Sequence, residues 1–302
     1  MRAALRFIGF RGFRPRAAVP LVAALLAAAL WGCGSDDDKG TAAGASTGDA
    51  PALGATAGTL KFGMNPGYPP WDVFTNGSLA GADYDLGQEI AKRLGLKPSW
   101  SQIEFGALIT SLQTKRIDVI LSGMSDTKER QKVVNFVDYY DTPWGFLVPK
   151  GNPKGLQSMA DLCGVRASAE TGTAGVGFIR EQNAKCKAEG KPEIEMTTFD
   201  KVTAIQQAIQ SGRTDVDLEN YDALSYAAQK LGNGEVFEAV ALDDLPSSPY
   251  GIGIAKENKP LLDAVQKALQ EMIDDGTYED ILRKNGVMEG FATEAVVNGA
   301  TS

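Results

Sequence analysis

The chain has 302 residues, 43% of them hydrophobic, and a formal net charge of −8, enough material for one large domain or two moderate ones with proper cores. It contains no histidine, which excludes Ser-His-Asp and Cys-His catalytic units and histidine-ligated metals, and leaves acid–base work to carboxylates, lysine or tyrosine. Five arginines and no acid fall in the first 32 residues, so the remainder carries 25 basic against 38 acidic side chains, a balance that argues against nucleic acid or an anionic membrane surface as partners.

Residues 1–32 follow the pattern of an export signal: an arginine-rich start, then the apolar run Ala17 to Leu30. That run is shorter than the roughly 20 residues a membrane span requires. Leu30-Trp-Gly-Cys33 resembles a bacterial lipoprotein cleavage site, with Trp31 in place of the usual small residue. The resemblance implies lipidation of Cys33 and residence outside the cytoplasmic membrane, on its outer face or in the periplasm. Residues 33–58, rich in Asp, Gly, Ala, Ser and Thr, read as a flexible tether. With Cys33 committed to lipid, Cys163 and Cys186 remain, and in an oxidising compartment a disulfide between them is favoured over two buried free thiols.

The folded body begins at Thr59-Leu-Lys-Phe-Gly-Met64, which alternates as a strand, and the proline-rich Asn65 to Asp72 forms a shaped loop at its end. A helix is predicted from Asp85 to a stop at Gly95, followed by a short strand at Trp100 and a helix carrying Leu108 and Leu112. Ile117-Asp-Val-Ile-Leu121 reads as a buried strand that turns at Ser122 into a helix with Asp126 as N-cap and Glu129 at capping-box spacing. Alone, Arg130 on that helix reads as a surface arginine paired to Glu129 or Asp126. A restart at Gly151-Asn-Pro marks a crossing into a second unit near 148–150. There Val165 to Ala167 forms a strand, Glu170 to Gly175 a glycine-rich turn, and Phe199 to Ser211 a helix capped by Asp200. The chain returns through Pro249 to Ala255, a helix from Pro260 to Gly276 and a last short helix ending at Gly286; the tail from Glu289 is expected to fray.

Ser122-Gly-Met-Ser-Asp-Thr-Lys-Glu-Arg130 resembles the lobe-one signature of bacterial extracellular solute-binding proteins of family 3, the polar amino-acid receptors of ABC importers. Gly81 to Gly95, Arg213 to Asp222 and the closing Asp-Gly-Thr-Tyr pattern extend the resemblance over about 59–287. It implies an α/β two-lobe periplasmic-binding-protein fold of type II, each lobe a mixed, mostly parallel sheet flanked by helices, joined by a two-strand hinge. Lobe one would comprise 59–148 and 250–288, lobe two 149–249, and 289–302 the tail.

By the same resemblance Arg130 holds an amino acid's α-carboxylate with the backbone of Ser122, Gly123, Met124 and Ser125, and Gly172, Thr173 and Ala174 close over it from lobe two. Tyr68, Trp71 and Phe105 supply flat apolar walls, although each alone reads as core rather than pocket. The position that takes the α-ammonium carries Asn220, an uncharged acceptor, and Glu219 would face away in a regular strand. Asn65 stands where binders of basic amino acids carry an acid, so a polar uncharged or acidic ligand is expected, unless Glu104 compensates. The expected partners are the amino acid, the importer's permease subunits and a lipid anchor, with the receptor a monomer and no cofactor or metal. The rival reading is an enzyme on this scaffold using Glu104, Glu170 or Glu219.

Overall fold

The structure, a computed structural model, describes residues 58–301; the export signal, Cys33 and nearly all of the tether lie outside them. β1 (Thr59–Met64) buries Leu60, Phe62 and Met64 and leads through a small hairpin, β2 (Val73–Thr75) and β3 (Ser78–Ala80), into α1 (Ala82–Arg93). β4 (Lys97–Gln102), α2 (Leu108–Gln113), β5 (Val119–Ile120), the single-turn α3 (Lys128–Gln131) and β6 (Val134–Thr142) follow. The chain then builds a second sheet from β7 (Trp144–Pro149), β8 (Arg166–Glu170), α4 (Ala174–Ala188), β9 (Glu195–Phe199), α5 (Val202–Gln210), β10 (Val216–Asn220), α6 (Tyr221–Lys230) and β11 (Phe237–Ala241). It returns as β12 (Ser248–Ala255), α7 (Lys259–Asp274), α8 (Thr277–Lys284) and β13 (Phe291–Val297).

Two sheets result, ordered β13-β6-β12-β5-β1-β4 and β11-β7-β10-β8-β9. β1 lies parallel to β4 and β5, and β8 parallel to β9 and β10, so the loops after β1, β5, β8 and β10 share the carboxyl ends of parallel strands, where open α/β sheets gather their ligand sites. Each sheet has its own apolar core: Leu86, Ile90, Leu261, Val265 and Leu269 pack on the first, and Trp144, Phe146, Leu162, Ile179 and Leu218 on the second.

The first crossing and several element ends differ from expectation. Thr142 still pairs with Ser248 in the first sheet, whereas Trp144 already pairs with Asn220 in the second, so the chain changes lobes at Pro143 and not near 148–150. Burial explains this: Trp144, Phe146 and Val148 are core residues of lobe two, and the turn at Gly151 merely ends their strand. The tail does not fray. β13 pairs with β6, and Ala295 exchanges hydrogen bonds with Gln266 and Gln270 of α7. α1 starts at Ala82, three residues earlier than predicted, and α5 begins at Val202, with Asp200 giving no cap. Thr127, whose hydroxyl accepts from the Arg130 amide, caps α3, while Asp126 accepts from Gln131 and from the Ala300 amide. The expected disulfide is present: Cys163 and Cys186, with Cα atoms 5.6 Å apart, tie α4 to the turn before β8.

Candidate functional site

The lobes meet across a narrow polar pocket. Asn65, Tyr68, Asp72, Phe105, Ser122, Gly123, Ser125 and Arg130 line it from lobe one, and Glu170, Thr173, Ala174, Glu219 and Asn220 from lobe two. The lobe-one wall is braced by buried acids beneath it. Ser122 accepts from the Asn65 amide at 2.9 Å and donates to Asp72 at 2.8 Å; Asp83 accepts from the Gly123 amide at 2.6 Å and from the Tyr139 hydroxyl at 2.7 Å. Burial and the neighbouring Asp83 charge hold the Asp72 carboxyl well above the usual carboxylate range.

Arg130 is buried in the wall, 9% exposed, and its guanidinium lies 5.5 Å from the centre of the Phe105 ring. Nη1 donates to the Ser125 carbonyl at 2.6 Å, and Nη2 crosses the cleft to the Gly172 carbonyl at 2.9 Å. Burial lowers its pKa to about 10, against the opposing pull of Glu219 and Asp126, so it is charged at neutral pH. Two of the backbone donors beside it are already engaged: the amides of Gly123 and Asp126 bond to Asp83 and to the Pro249 carbonyl. The fixed positive charge in this cavity is therefore the guanidinium, with little help from a four-residue helix.

Of the residues singled out in the sequence, Asn65, Tyr68, Phe105, Ser122, Gly123, Ser125, Arg130, Thr173, Ala174 and Asn220 line the space, and Gly172 touches it through its carbonyl on Arg130. Three do not. Trp71 is fully buried and donates from its indole N–H to Asp222; Met124 packs with Ile120, Val134 and Phe136; Glu104 is exposed. Glu219 does not face away. It sits at the end of β10, where the strand turns into α6, and its carboxylate curls back to the Asn220 amide at 2.9 Å. Glu219 and Asn220 take opposite faces of the strand by alternation, yet both line the pocket because it lies over the strand's end.

Glu170, the last residue of β8, is 3% exposed and accepts from the Asn65 side-chain amide across the cleft at 2.7 Å. Burial, then the Glu219 charge, raises its pKa to about 8; burial raises Glu219 to about 7, with Arg130 and the Asn220 amide pulling the other way. Behind the cavity Asp222 of lobe two accepts from Thr142 at 2.9 Å and from Tyr250 at 3.0 Å, and Tyr250 meets the Tyr68 hydroxyl at 2.8 Å. The lobes are thus in contact at both front and back.

Two α/β lobes joined by two crossing segments, with a polar cavity between them, define the type II fold of periplasmic amino-acid-binding proteins. An ancestral arginine-binding protein bound to arginine superposes with a TM-score of 0.67 at 34% identity, over 75% of this chain and 97% of that one. An ancestral amino acid-binding protein described as a precursor of cyclohexadienyl dehydratase gives 0.66 at 30%, over 75% and 95%. The arginine-binding extracellular protein ArtP of Bacillus subtilis is 30% identical over 270 residues, 87% of this chain and 95% of that protein. Residues 60–287 match the bacterial extracellular solute-binding proteins, family 3, and the chain belongs to that family. Membership carries amino-acid binding outside the cytoplasm and partnership with an ABC importer. Among the described residues no helix is long and apolar enough to cross a membrane.

Proposed function

We propose that the interlobe cavity receives a single amino acid whose α-carboxylate lies on Arg130 and whose α-ammonium lies between Glu219 and Asn220, and that this ligand holds the lobes closed. The observation that carries the reading is a buried, charged guanidinium whose two hydrogen bonds to carbonyls leave further N–H donors of its fork for a carboxylate. An α-ammonium beside Glu219, whose carboxyl burial raises to about 7, would favour its ionised form and so provide the charge that Asn220 lacks. Glu170, Glu219 and Asp72, already pushed toward their neutral forms by burial and by neighbouring acids, would be pushed further by an acidic ligand and relieved by a cationic one, so we favour a neutral or cationic ligand over an acidic one. The arginine-binding relatives support the same direction.

Calorimetry against the twenty amino acids tests this. Saturable binding without turnover is expected, and Arg130→Ala should weaken it by about 2 to 5 kcal/mol, the cost of removing one partner from a buried charge-assisted contact. An effect below about 0.5 kcal/mol, as for a surface arginine, would refute the placement, and consumption of the ligand would move the protein to the enzymes of this fold.

A further inference from the structure

The carboxyl of Glu170 has no evident electrostatic reason to be buried in an unliganded wall. It is 3% exposed, its hydrogen-bond donor is the neutral Asn65 amide, and the charges bearing most on it, Glu219, Glu104 and Asp200, are all acids. Arg130 does not answer it: the acids acting on that guanidinium are Glu219 and Asp126. A buried carboxylate among like charges is costly unless a cation joins it, and here the cavity lies beside it for one to enter.

We propose that Glu170 sets the ligand specificity of this receptor, its carboxylate receiving a cationic side-chain end of the amino acid while the Asn65 amide orients that carboxylate from the opposite lobe. The inference rests on the amino-acid-receptor reading above and adds to it a residue and a class, a dibasic amino acid. It also accounts for Asn65: the acid expected on lobe one for a basic ligand is supplied by lobe two, so recognition of the distal cation and closure of the lobes occur through the same pair. An alternative role, a hydrogen-bonded latch with a protonated carboxyl, would be served equally by an amide in its place.

The experiment compares L-arginine with L-citrulline, which keeps the shape and replaces the guanidinium by a neutral urea, on the wild-type protein and on Glu170→Gln, each first shown to unfold cooperatively. The wild type should prefer arginine about thirtyfold or more, as for a buried charge pair. Glu170→Gln should lose most of that preference while citrulline affinity stays within about threefold. Arginine binding to the wild type near neutral pH should release protons, seen as a buffer-dependent heat, and Glu170→Gln should abolish most of that release. Equal weakening of both ligands by Glu170→Gln, or a wild type indifferent between them, would overturn the role of Glu170. If a neutral amino acid binds, depends on Arg130 and ignores Glu170→Gln, the receptor stands and this inference falls; if none of the twenty amino acids binds, both fall.

Discussion

Gly172 shows how closely single residues control closure. Its φ is +86°, and a Cβ placed on it would lie 2.7 Å from the Gly106 Cα of the opposite lobe. That atom is backbone, so no side-chain rotation relieves the clash and the added methyl pushes the two lobes apart. Gly190 also has a positive φ, +70°, with nothing within 4 Å of an added Cβ, and so isolates the backbone cost of about 1 to 2 kcal/mol. Gly172→Ala and Gly190→Ala should lower the ligand-free melting temperature alike. Only Gly172→Ala should weaken L-arginine binding, by about tenfold or more; equal affinities in the two variants would show that the Gly106 contact does not govern closure. Glu170 and Gly172 were both named from the sequence as facing the cleft, but their contacts across it, with Asn65 and Gly106, were not, because those contacts depend on how two separately folded lobes meet. Arg130 was legible because its neighbours form one local run, and Glu219 was misread because the pocket lies over the end of β10, where two successive residues both line it.

At the scale of elements, most of the alternation of strands and helices was legible, since each core face follows its own period: Leu261, Leu262, Val265, Leu269 and Met272 fall on one side of α7 and are buried. Ends were harder. Thr142-Pro-Trp144 carries no glycine or charge to mark a change of sheet, and the crossing is defined only by which partners the two strands find. The tail was misjudged because Phe291 to Val297 has little to bury on its own, and its pairing with β6 is interrupted by a register shift. Removing residues 289–302 would uncover the β6 edge, the seat of Ala295 and the polar ends of Gln266 and Gln270. It would also strip Asp126 and Asp138 of the amides of Ala300 and Gly299, which bond to them at 3.1 and 2.8 Å. The truncated protein should melt several degrees lower, by about 2 to 4 °C per kcal/mol lost, and self-associate through the exposed strand. An unchanged melting temperature would mean that β13 contributes nothing to lobe one.

At the scale of the whole molecule, folding buries carboxyls that prefer to be neutral, and this gives stability an unusual dependence on pH. Burial raises Glu170 to about 8, Glu219 to about 7 and Asp138 to about 7. For each, the folded pKa exceeds the unfolded one, so between roughly pH 5 and 8 the folded chain holds protons that the unfolded chain has released. Stability therefore falls as pH rises through that window, at a rate no greater than about 1.4 kcal/mol per pH unit for each group. Above the folded pKa values the penalty is complete, and below the unfolded ones it vanishes. A bound cation beside Glu170 changes the balance by favouring its ionised form, so a complex with L-arginine should lose less stability across the same range. Melting curves between about pH 6 and 8, with and without saturating L-arginine, should show the ligand-free midpoint falling with rising pH and the increment due to arginine growing. A ligand-free midpoint that rises with pH would mean that these carboxyls are already ionised in the folded protein. An increment that stays constant would mean that the ligand's charge never reaches them.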